Sequence, residues 1–158
     1  MTDEKSYTEN ESHRKFAVDI FNAIWRLLQK NDRTADDDEA MLQMAHASCY
    51  HWSKVGAAIN QARGEWMISH VNTILKRSEA ALHHARRSLT ICEKNAFGDF
   101  DIAYAYEALA RAYALNRDRV NFAKFRALAE GAGAQIKEKE DRNLFSSDLA
   151  GEPWFGMK

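Results

Sequence analysis

The chain has 158 residues, 46% of them apolar and 28% charged, a balance that suits one globular domain with one core and excludes a disordered chain. Lys and Arg number 22 against 23 Asp and Glu, for a net charge of -1. The basic excess of a nucleic-acid binder is absent, so DNA and RNA are set aside as partners.

Residues 1–10 are polar and read as a disordered N-terminal tail with no apolar stretch of a secretory signal. From Ser12 a helical period begins, with Phe16, Ile20, Ala23, Ile24, Leu27 and Leu28 on one side, and it stops near Asn31. The second helix opens on Asp36, Asp37 and Asp38, acids suited to the positive end of a helix dipole. Its stripe is Met41, Met44, Ala45, Ser48, Trp52 and Val55, and Gly56 ends it. The third helix carries Ile59, Ala62, Trp66, Val71 and Ile74. Lys76-Arg77-Ser78 breaks the pattern, with Ser78 as the N-cap of the fourth helix. That helix carries Ala81, Leu82, Ala85, Leu89 and Cys92, and ends in Asn95-Ala96-Phe97-Gly98. Asp99 or Asp101 caps the fifth, which runs to Leu115. A turn at Asn116-Arg117-Asp118 leads to a sixth, from Arg119 towards Glu140.

Only one proline, Pro153, occurs in the chain, and β-branched residues never alternate over a useful stretch, so the fold class is all-α. Short connections between six helices predict antiparallel neighbours, stacked as three helical hairpins. Residues 11–142 form this domain. Residues 143–158 carry Leu144, Phe145, Leu149, Trp154, Phe155 and Met157, too many large apolar groups to leave in water. They are expected to fold back as a cap on the open end of the stack, in preference to docking on a second copy as a homodimer. No apolar run reaches the ~20 residues a membrane span needs, and two isolated cysteines fit a reducing compartment; a cytoplasmic location is the expectation.

An internal repeat organises the middle of the chain. Sliding the third helix onto the fifth by 41 residues sets Ile59 on Phe100, Ala62 on Ala103, Gly64 on Ala105, Ile68 on Leu109 and Ile74 on Leu115. Val71 falls on Ala112, but mostly small residues meet small ones and large meet large, as equivalent packing slots require. Within the fifth helix, Tyr106-x2-Leu109-Ala110-x2-Tyr113 resembles the first half of the tetratricopeptide repeat, W-x2-L-G-x2-Y. The following helix departs from the pattern: Ala123 and Ala127 fall one place late, and no proline closes the repeat. The resemblance covers Ile59 to Ile136 as two degenerate repeats, with the first two helices as a weaker third. The stretch from Ala57 to Ala112 is also similar to a group of small, uncharacterised bacterial helical-repeat proteins.

The resemblance implies a right-handed superhelix whose concave wall, built from the first helix of each hairpin, binds an extended peptide. With Tyr106 as landmark, the inward positions of the fifth helix are Tyr104, Glu107 and Arg111. The 41-residue offset carries them to Arg63, Trp66 and His70. Aligning Leu27 with Leu115 places Phe16, Asp19 and Ala23 on the first helix in the same role. The expected function is a peptide- or protein-binding module, with Arg63, Trp66, His70, Tyr104, Glu107 and Arg111 as partner-binding residues.

Catalytic and metal patterns are weaker. His46-x2-Cys49-x-His51 offers two residues able to share one helix face while His51 points elsewhere, and two ligands do not make a zinc site. A phosphate loop, a nucleophile elbow and an H-E-x-x-H helix are all missing. No cofactor, metal or catalytic residue is therefore expected. The rival expectation is a small-molecule sensor or dispersed-site enzyme with a pocket between hairpins near His46, Cys49, Trp52 and His70.

Overall fold

A computed structural model describes residues 5–157. Among the described residues the fold is all-α, with seven helices: α1 (Glu9–Leu28), α2 (Ala35–Val55), α3 (Ala58–Ile74), α4 (Ser78–Lys94), α5 (Asp99–Leu115), α6 (Arg119–Ala134) and α7 (Lys139–Ala150). No helix is long and apolar enough to cross a membrane among these residues. The tightest packing joins α1 to α2, α3 to α4 and α5 to α6; α2 to α3, α4 to α5 and α3 to α5 follow. Of the expected N-terminal tail, residues 1–4 lie outside the described residues.

Helix ends follow local chemistry. Thr8 and Glu11 form a capping box that starts α1 three residues ahead of Ser12, the first residue of the apolar period. Thr34 and Asp37 do the same for α2, and Asp37 and Asp38 also pair with Lys30 and Arg33. The acidic opening of α2 is thus consumed by capping and by the α1–α2 turn. Two expected caps are differently placed. Arg77 holds the cap position of α4, with Ser78 already helical. Gly98 precedes α5, freeing the Asp99 carboxylate to accept the Lys137 N–H at 3.1 Å and Asp101 to pair with Arg63.

The 41-residue correspondence has a packing counterpart. The buried Ser88 hydroxyl donates to the Ala62 carbonyl at 2.9 Å, fastening α4 to α3, and Ser48 donates to Ala17 at 2.8 Å, fastening α2 to α1. Ala103 and Ala129, each 41 residues beyond Ala62 and Ser88, are fully buried on α5 and α6. Small residues let the helices approach, and a hydroxyl there must find an acceptor. The turns repeat too. Lys76 and Arg117 both adopt left-handed conformation, with φ 59° and 61°, while Arg77 N–H and Asp118 N–H reach back to the carbonyls of Asn72 and Tyr113. Such a residue costs roughly 1–2 kcal/mol without glycine, offset by the carbonyls it lets the chain cap.

Two close approaches set the ends of the core. A Cβ on Gly64 would stand 2.8 Å from Cys49 Sγ, where α3 crosses α2. One on Gly133 would overlap the Phe145 ring, where α7 folds over α6. The sixth helix ends at Ala134, short of Glu140, because Ile136 turns into the core and Arg142 donates to its carbonyl at 2.6 Å. That break makes a seventh helix, packed on α5 and α6, where six were expected. Phe145, Leu149, Trp154 and Met157 of the C-terminal segment are buried in the same cluster as Leu109, Tyr113 and Phe122. A second cluster, including Ile24, Met41, Met67 and Val71, joins α1, α2 and α3.

Candidate functional site

A cavity of about 400 Å³ opens between α1, α3, α5 and α7. Its walls are aromatic: Phe21 and Trp25 from α1, Trp66 from α3, Phe100 and Tyr104 from α5. Ala62, Ser88 and Cys92 complete its lining, with Leu144 and Asp148 added from α7. Polar groups are few and tied. Arg63 donates from Nε and a terminal nitrogen to both Asp101 oxygens, at 2.8 and 3.2 Å. Tyr104 donates its hydroxyl to Asp148 at 2.6 Å. Burial, reinforced by that bond and the carboxylate's charge, pushes the Tyr104 pKa far up, so the phenol stays protonated. Burial also raises the Cys92 thiol to about 11, and it is an uncharged part of the wall.

The six residues expected on the inner wall divide into three groups. Arg63, Trp66 and Tyr104 line the cavity. His70 instead stacks on Trp66, ring centroids 5.0 Å apart and planes within 9°, with Trp25 at 6.1 Å. Burial lowers its pKa, so the ring is neutral near pH 7. Glu107 and Arg111 are 3% and 4% exposed and belong to the packing beneath the C-terminal segment. Arg111 pairs with Glu107 and donates to the carbonyls of Asp148, Gly151 and Pro153. It also lies 4.1 Å from the Trp154 ring, which Arg126 approaches at 4.3 Å. A partner reaches Glu107 or Arg111 only after the C-terminal segment leaves.

On α1 the register differs from the one anchored on Leu27. Phe16 is half exposed and lies 5.4 Å from the His51 ring, and Asp19 pairs with Lys15. The serine bonds make Ala17 the counterpart of Ala62 and Ala103, a shift of two residues. In that register Phe21 and Trp25 stand where Trp66 and His70 stand on α3. Small buried residues would have been the better anchor, since a leucine fits several neighbouring slots and a helix crossing does not. Leu144 and Asp148 carry no signal of their own: they are two residues one turn apart on a helix whose docking is set far away in sequence.

His46, Cys49, Trp52 and His70 do not line one cavity. His46 meets His84 at 5.3 Å between ring centroids; Cys49 is buried beneath Gly64 with its thiol raised to about 11 by burial. Trp52 lies under Arg14 and borders a separate cavity of about 170 Å³. His51 pairs with His13, Nδ1 to Nδ1 at 2.8 Å. Among the described residues no three His, Cys, Asp or Glu side chains converge as a metal site would need. A buried polar cluster does occur on α3 and α4: Glu65 accepts from His84 at 2.6 Å and Arg87 at 2.8 Å. Burial alone would raise the Glu65 pKa, but these hydrogen bonds outweigh it and hold the carboxylate ionised.

What the cavity can do chemically is hold an apolar or aromatic-compatible group against five rings beside one satisfied ion pair. No family model, no curated protein and no solved structure matches the chain.

Proposed function

We propose that the chain is a helical binding module of tetratricopeptide-like build that takes a segment of a partner polypeptide. In this reading α1–α2, α3–α4 and α5–α6 are three stacked hairpins forming a right-handed superhelix, and the repeated serine bonds and left-handed turns support it. The first helices form the inner wall. The observation that carries the function is the cavity itself, where α1, α3 and α5 each send aromatic side chains to one space of about 400 Å³. Pockets of that size and lining hold a single large side chain or a small ligand. Rigid aromatic anchors in a dry recess are what peptide hot spots dock against.

The partner segment lies across the mouth, places one side chain in the cavity, and meets the Arg63–Asp101 pair at its rim. Selection from a displayed random-peptide library tests this directly. Enriched peptides are expected to share one bulky anchor, and Trp25→Ala and Trp66→Ala should each weaken them at least tenfold while helical content by circular dichroism is kept. Peptides bound equally well by both variants, or no enrichment at all, would remove the cavity from the function.

A further inference from the structure

We propose that this pocket recognises an alkylated ammonium group. The inference rests on the cavity being a binding site, as argued above, and adds the chemistry of what enters it.

Charge at the pocket is uneven. Arg63 and Asp101 cancel, each nitrogen–oxygen contact being within hydrogen-bond distance. Asp148 adds a further carboxylate, and among the described residues no cationic side chain comes within ion-pair distance of it. Its bond from Tyr104 occupies one oxygen. The pocket thus carries one net negative charge beside five aromatic rings, whose faces are the electron-rich part of each ring. Trp66 is polarised further: its indole N–H is directed to the Glu107 carboxylate at 3.4 Å, which draws electron density towards the ring. The neighbouring imidazole of His70, stacked on that indole, is uncharged near pH 7.

Alternative occupants fit less well. An anion would meet Asp148 and find Arg63 already committed. A plain hydrocarbon would use the rings but leave the charge of the solvent-exposed Asp148 unanswered. A primary ammonium would have to give up hydrogen bonds to water that these walls, with so few acceptors, do not replace. A methylated ammonium is weakly hydrated, spreads its charge over carbon, and gains from ring faces and from one carboxylate together. The group can arrive on a free small molecule or on a trimethylated lysine side chain, and the chemistry at the pocket is the same.

The test compares choline with its neutral carbon isostere, 3,3-dimethylbutan-1-ol, by tryptophan fluorescence and calorimetry on the full chain. Choline is expected to bind at least tenfold tighter. Asp148→Asn keeps an oxygen acceptor for Tyr104 and removes the charge; it should cut choline's advantage over the isostere severalfold, the ring faces keeping the remainder, and an undiminished advantage would remove the carboxylate from the recognition. A short peptide bearing trimethyl-lysine separates the sources: binding stronger than choline's points to a polypeptide, and equal binding to a free small molecule. Equal affinity for choline and the isostere on the unaltered chain would overturn the cation preference while leaving an apolar pocket in place. Selected peptides that ignore Trp25 and Trp66 would sink the pocket itself, and this inference with it.

Discussion

Two glycines one turn fraction apart on α6 have opposite meanings. Gly131 has open space where a Cβ would stand, so Gly131→Ala should raise stability by about 0.5–1 kcal/mol through helix propensity and a less flexible unfolded chain. Gly133 has the Phe145 ring there instead, and Gly133→Ala should lower stability by about 1–3 kcal/mol as α7 is pushed away. Denaturant melts of the two variants read the contrast, and equal shifts would contradict the α6–α7 contact. Arg111 is the other residue whose surroundings, more than its type, set its role. Arg111→Met strips the buried Glu107 of its ion pair and three main-chain carbonyls of their donor, at a cost of about 3–5 kcal/mol. Loss of binding in such a variant would come with a loss of thermal stability, whereas Trp66→Ala should separate the two. From sequence, an arginine at an inward position reads as a contact for a partner; only the path of residues 148–153 reveals that its partner is the same chain.

Among the elements, α3 and α5 were the most legible. Their equivalence rests on where small residues recur, and helix crossings tolerate small residues alone at those points. The first helix is legible as a helix but not in its rotation, because a leucine such as Leu27 fits more than one register. The seventh was hidden. Its opening Lys139-Glu140-Asp141-Arg142 has no apolar period, no proline or glycine stands at 135–138, and its buried pair Phe145 and Leu149 spans one turn. Yet this element carries weight. Deleting residues from 143 onward removes Phe145, Leu149, Trp154 and Met157, roughly 6–12 kcal/mol of burial at about 1.5–3 kcal/mol per side chain. That rivals the whole stability of a typical domain, about 5–15 kcal/mol. The truncated chain should lose its cooperative melt or fall by more than about 10 °C in Tm. An unchanged Tm would mean that the segment is not packed as described.

Across the whole molecule, three histidines bias stability in one direction of pH. His46, His51 and His70 all have pKa values held below the ordinary 6.5, in each case chiefly by burial. For His70 the facing charges are Glu107 and Asp148, which raise it, and Arg111, which lowers it. The unfolded chain therefore binds protons more readily at these sites than the folded one. Stability is complete above about pH 6.5 and declines as pH falls below it. Glu65, lowered from 4.5, keeps its contribution throughout that window and yields only in stronger acid. Tm measured at pH 7.5 and 5.5 should drop at the lower value, and a His70→Gln variant should flatten part of the drop. A Tm that rises on acidification would contradict the burial of these rings.

One wall of the aromatic cavity is supplied by Leu144 and Asp148, and both ride on the helix that leads into Trp154, whose ring lies against two guanidinium groups. Under the proposed binding role, occupancy of the recess and latching of the final turns are coupled equilibria, each strengthening the other by the same factor. A molecule seated there should protect the far end from carboxypeptidase, and anything that prises that end loose should empty the seat.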